Sequence, residues 1–105
     1  MEAERWANLK IIGQRVTPAS GIKWIENELQ QVIVINLETG DIYGLDESAA
    51  IAWKALMQSG LIRDAIDALV SVYDIEPEVA TNDMAAFISE LINNKLVSRH
   101  ESQQL

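Results

Sequence analysis

The sequence predicts an α+β domain, a three-stranded antiparallel sheet followed by three helices, and three observations carry that prediction. β-prone apolar runs fill residues 22–45, the apolar period changes from two to about 3.6 at Asp46, and Gly60 and Pro77 stand where helices should end and begin. The 105 residues make one domain with one core, and no apolar run approaches the roughly 18 residues of a membrane span.

The first twenty residues are the least legible and are read as an N-terminal arm: "LKIIGQRV" suits a strand or a packed arm, and "TPASG" is a loop by its Pro, Ser and Gly content. "IKWIENE" then alternates partially, "NELQ" supplies a polar turn, and "QVIVINL" is a continuous apolar run of the kind a strand shows when both faces are covered. In "ETGD", Gly40 suits the positive φ of a tight hairpin that returns the chain as a short third strand over 41–45.

From Asp46, an apt N-cap, the stripe Ala49, Ala52, Trp53 and Leu56 predicts a helix closed by Gly60. A second helix over 61–73 turns Ile62, Ala65, Ile66, Leu69 and Tyr73 inward. Pro77 opens a third, on which Ala80, Met84, Phe87, Ile88 and Leu91 share a face; it frays near Asn93 and Asn94, before a last apolar contact at Leu96 and Val97. The domain is thus expected over 21–97, with 98–105 a polar tail that leaves His100 in solvent.

Composition excludes several classes of function. There is no cysteine, so disulfides, thiolate metal sites and cysteine nucleophiles are absent. A net charge of -8 repels phosphate backbones and anionic membranes, which argues against nucleic acid and membrane partners. No glycine-rich phosphate loop, G-x-S-x-G, H-E-x-x-H or calcium-type acidic loop occurs. The carboxylates have simpler roles: Asp46 and Glu47 suit a helix start, and Glu76, Glu78 and Asp83 lie in or near the opening turns of the third helix. Neither catalysis nor a cofactor nor a metal is expected, and without a secretory signal at "MEAERWANLK" the expected location is the cytoplasm.

The ordered landmarks Val32 to Leu37, Thr39 with Gly40, Tyr43 with Leu45 and Asp46, Trp53, Gly60, Leu69 with Tyr73, Asp83 with Met84, Phe87 with Leu91, and Leu96 with Val97 span roughly residues 28–97. This string resembles the PqqD-like family, the small winged-helix-type recognition elements for precursors of ribosomally synthesised and post-translationally modified peptides (RiPPs). Two positions depart from the family pattern: Lys95 stands where a glycine is common, with Asn93 and Asn94 offering the left-handed turn instead, and Asp46 replaces the usual Asn as an equivalent cap. The resemblance implies non-catalytic capture of a precursor's leader segment as an added strand. Delivery follows, to a tailoring enzyme such as a radical SAM maturase or a leader peptidase or cyclase, as in RiPP or PQQ-type biosynthesis. The protein is expected to act as a monomer or weak homodimer.

On that reading the guest lies along Asp41, Ile42, Tyr43, Gly44 and Leu45, an edge whose backbone groups are free to pair, and against Ala80, Met84, Phe87, Ile88 and Leu91 of the third helix. The alternative is a winged-helix DNA-binding regulator. Its recognition helix should present Arg or Lys, but the third helix carries Glu78, Asp83 and Glu90.

Overall fold

The computed structural model describes residues 10–101. A 3-10 turn (Lys10–Gly13) leads into β1 (Gln14–Pro18). The meander β2 (Ile22–Glu26), β3 (Val32–Asn36) and β4 (Ile42–Leu45) follows, antiparallel with β3 in the centre. Then come α1 (Glu47–Ser59), α2 (Ile62–Tyr73), α3 (Pro77–Asn93) and a fifth strand, β5 (Val97–Glu101). The expected sheet and helices are therefore present.

Each turn has its own chemistry. Asn36 is buried, and its side-chain Oδ1 accepts from the N–H groups of Glu38 (2.9 Å) and Thr39 (3.2 Å), which fastens the β3–β4 turn. Gly40 takes φ 81 there. Asp46 caps α1 through Oδ1, which accepts from Ala49 N–H at 2.9 Å. Pro77 occupies the first turn of α3, where its missing N–H costs nothing.

The core lies between the inner face of the meander and the helices. Val32 and Val34 of β3 are buried against Trp53 and Leu56 of α1, Ile62, Ala65, Ile66 and Leu69 of α2, and Ala80, Met84, Ile88 and Leu91 of α3. Trp53 is fully buried and meets Trp24 edge to face, with ring centroids 6.4 Å apart. Trp24 thus packs on the domain's own interior at its rim.

Four expectations are corrected. β3 is not covered on both faces: burial alternates along it, and Ile33 and Ile35 are half-buried on the outer side. Neighbouring strands shield them there, since Ile25 pairs with Ile33 and Ile42 with Ile35. Tyr73 is exposed, its hydroxyl donating to Glu47 Oε2 at 3.1 Å, because α2 ends as its inward stripe reaches the surface. The left-handed residue after α3 is Lys95 (φ 62), not Asn93 or Asn94; with Leu96 N–H bonded to Leu91 O at 2.9 Å, the family's glycine position keeps its geometry without glycine.

The fourth correction concerns the two ends. The arm and the supposed polar tail pair with each other: β1 and β5 form an antiparallel ribbon in which Arg15 opposes His100 and Thr17 opposes Ser98. His100 is exposed as expected, but it sits on a strand with Nε2 3.1 Å from Thr17 Oγ1. Among the ribbon residues whose burial is described, Val16 and Val97 alone are buried, so its sequence shows no apolar alternation to announce it. Residues 1–9, with Trp6, and 102–105 lie outside the described residues.

Gly60 joins the ribbon to the helices. It adopts φ 78, and its carbonyl accepts from Val16 N–H at 2.9 Å. A Cβ there would lie 3.3 Å from the Val16 carbonyl oxygen. Gly60→Ala is expected to cost about 1–2 kcal/mol, from left-handed strain plus that close approach. Urea unfolding checks this, and an unchanged midpoint would show that the turn relaxes freely.

Candidate functional site

β4 is an edge strand, and the register fixes which of its backbone groups are free. Asn36 N–H donates to Asp41 O at 2.9 Å, so Asn36 and Asp41 form a hydrogen-bonded pair. Antiparallel pairs alternate between bonded and non-bonded, which directs the N–H and C=O groups of Tyr43 and Leu45 toward Val34 and Val32. Those of Ile42 and Gly44 face away from β3. Among the described residues no strand pairs with that outer side, and the N-terminal strand β1 is engaged by β5 instead.

Side chains follow the same parity. Tyr43 and Leu45 are half-buried and turned to the helices, while Ile42 and Gly44 belong to the outer face. A strand laid against β4 would therefore place the residue opposite Tyr43 on the helical side. It would send its neighbours in sequence outward.

On the helical side lies an open groove of about 930 Å3. Gly44 and Leu45 border it along the strand, Ala49 and Ala52 of α1 and Leu69 of α2 form apolar floor with the fully buried Met84 beneath, and Ala86 and Phe87 of α3 make the far wall. Of the expected site residues, Gly44, Leu45, Met84 and Phe87 thus come together around one cavity. Asp41 sits in the turn before β4, where its side chain accepts from Thr39 Oγ1 at 3.0 Å, and Tyr43 borders the helical side of the strand. Ala80, Ile88 and Leu91 do not line the groove; each is buried in the core. They share the apolar face of α3, but that face is wide enough for its centre to pack on α2 and only its margin to reach the groove.

Sequence reasoning missed the polar part of this wall. Asp83 and Glu90 flank Phe87 on the exposed side of α3, and Asp46 and Glu47 stand on the opposite side of the groove. The signal is present in the sequence, because positions 83, 87 and 90 follow helical spacing, but Asp46, Glu47 and Asp83 each suit a helix start and nothing in the sequence brings them to Glu90. Among the described residues no Lys, Arg or His lines the groove.

Two phenols complete the surroundings. Tyr43 donates to Asp41 Oδ2 over a long 3.5 Å, and its pKa is raised from 10.0 first by desolvation and then by the Asp41 charge and hydrogen bond. Tyr73 is raised likewise, by desolvation and then by Glu47. A raised phenol pKa favours the neutral form, so any contribution it makes is complete below pH 10.0 and fades only as pH rises past the shifted value. Near neutrality both remain uncharged donors.

Among the described residues no three His, Cys, Asp or Glu side chains are grouped to hold a metal, and no helix is long and apolar enough to cross a membrane. The α3 sequence contains no Lys or Arg, so this helix offers nothing to a phosphate backbone.

Comparison with known proteins adds three findings. The family model for coenzyme PQQ synthesis protein D (PqqD) matches residues 31–97. Two solved structures share the fold. One is a lasso peptide synthetase B1 complexed with its leader peptide, at TM-score 0.71 and 20% identity over 80% of this chain and 98% of that one. The other is TbiB1 in complex with the TbiA(beta) leader peptide, at TM-score 0.73 and 21% identity over 78% and 94%. Among curated proteins, none matches.

Proposed function

Because this chain belongs to the PqqD family, we propose that it binds the leader segment of a ribosomally made precursor peptide as an added strand on β4, without catalysing any reaction on it. One observation carries the proposal. Ile42 and Gly44 turn their N–H and C=O groups outward on an edge that borders an apolar-floored groove.

An unprotected edge is a hazard that folds blunt with short strands and charge. β4 is short, at four residues, yet it carries no charged residue. An extended guest would satisfy both outward residues, and both fold neighbours are described in complex with leader peptides.

Magnitudes divide the work between edge and groove. Two outward residues offer four backbone groups, and at about 1 kcal/mol net per hydrogen bond the ladder contributes about 4 kcal/mol. Micromolar affinity requires about 8 kcal/mol after the costs of association and ordering. The larger share must come from guest side chains seated near Tyr43, Leu45 and Phe87, so the ladder supplies direction and the groove supplies affinity and choice.

The proposed cellular role is escort in the cytoplasm: the bound leader holds its attached core for a tailoring enzyme, whether a radical SAM maturase or a leader peptidase or cyclase. The test is a titration of isotope-labelled protein with the leader encoded beside its gene. Saturable shifts should concentrate in residues 41–45 and on the groove side of 80–92. An absence of shifts at both would overturn the proposal.

A further inference from the structure

We propose that the groove selects a cationic guest, with Lys or Arg two residues away from the apolar anchor on the helix-facing side of the added strand. This rests on the strand-addition reading above and specifies the chemistry of its ligand.

The charge arrangement carries the proposal. Four carboxylates border the groove, Asp46 and Glu47 on one side and Asp83 and Glu90 on the other, with no cationic side chain lining it among the described residues. Asp46 and Glu47 have structural duties, as a helix cap and as acceptor of the Tyr73 hydroxyl. Asp83 lies beyond the first turn of α3, where the dipole has little hold on it, and both it and Glu90 are exposed, with no side-chain hydrogen-bond or ion-pair partner among the described residues. Glu90 is also poorly placed for its own helix, since it lies in the last turn of α3, where the helix dipole disfavours negative charge. An acid that works against its helix and pairs with nothing is explained by a cation that arrives from elsewhere.

Spacing agrees with charge. At about 1.5 Å rise per residue, Asp83 and Glu90 lie about 6 Å and 4.5 Å along α3 on either side of Phe87. Same-face residues of an extended peptide are about 6.7 Å apart. A side chain seated against Phe87 would therefore bring those two positions away within reach of the carboxylates, the more so because Lys and Arg have long, flexible stems.

The test uses three synthetic peptides based on the leader, identical except that the two flanking helix-facing positions are both Lys, both Gln or both Glu. Binding to the full chain is measured by fluorescence anisotropy across a salt series. The Lys peptide should bind about tenfold tighter than the Gln peptide at low salt, and the preference should shrink to about twofold or less near 1 M salt, where the screening length is about 3 Å. In the double variant Asp83→Asn, Glu90→Gln the ratio between Lys and Gln peptides should approach one, while thermal stability is retained. Equal binding of all three peptides, or a preference for the Glu peptide, would overturn the charge selection and leave strand addition standing. Binding of none would overturn strand addition, and the charge selection with it.

Discussion

Replacing Gly44 with proline is expected to weaken capture of the guest peptide by well over tenfold while the domain stays folded. The Gly44 N–H points away from β3, so the substitution removes no bond of the native ladder. Proline is tolerated on an edge strand in that orientation, and no atom lies within 4 Å of the position a Cβ would take. The guest, by contrast, loses a donor, orphans its own acceptor and meets the pyrrolidine ring at the edge. A loss of about 2–3 kcal/mol follows, roughly 30- to 150-fold in affinity. Calorimetric titration with the leader, alongside circular dichroism of the free variant, measures both halves of the expectation. A folded Gly44→Pro variant that binds like the parent would mean the guest does not pair with β4.

The largest effect on stability is expected at Trp53. Its side chain is fully buried and carries the edge-to-face contact with Trp24 that ties α1 to β2. Trp53→Ala should cost about 3–5 kcal/mol, because the void cannot be filled by neighbours held in three different elements. Against a total stability of about 5–15 kcal/mol this is a large fraction, and the melting temperature should fall by well over 10 °C. Trp53→Phe should cost much less. The indole N–H has no acceptor among the described residues, so phenylalanine loses some packing but also removes an unpaired buried donor. Thermal melts of the two variants compare these terms, and equal costs for Ala and Phe would show that ring packing is not what Trp53 contributes.

Much of the fold was legible in the residues because it is written in local periodicity. The stripe Ala52, Trp53 and Leu56, the cap Asp46 and the left-handed Gly60 delimit α1 in both sequence and structure. The Thr39 and Gly40 turn returns the chain where its residue types require. Legibility failed where burial is slight or pairing is distant. The β1–β5 ribbon buries one side chain from each strand and joins positions 14 and 101, so neither alternation nor nearby context announces it. The α3 wall of the site was half legible for a related reason. An apolar stripe tells which face of a helix turns inward, but Phe87 reaches the groove at its margin while Met84, Ile88 and Leu91 are buried in the core, Met84 directly beneath the groove. That division depends on what packs against α3, not on the stripe itself.

The sequence by itself determined the order and kind of elements from β2 to α3, the turn and cap residues between them, and the family to which they belong. Each of these follows from interactions within a few residues of chain, where side-chain chemistry and spacing act directly. Only the tertiary structure decided that β1 is taken up by β5, that the outward groups of Ile42 and Gly44 meet no partner strand among the described residues, and that four acids from two helices and a cap stand around one groove. The reason is physical: whether a backbone group is free, and which charge faces which, is set by what the folded chain brings beside it from far away in sequence.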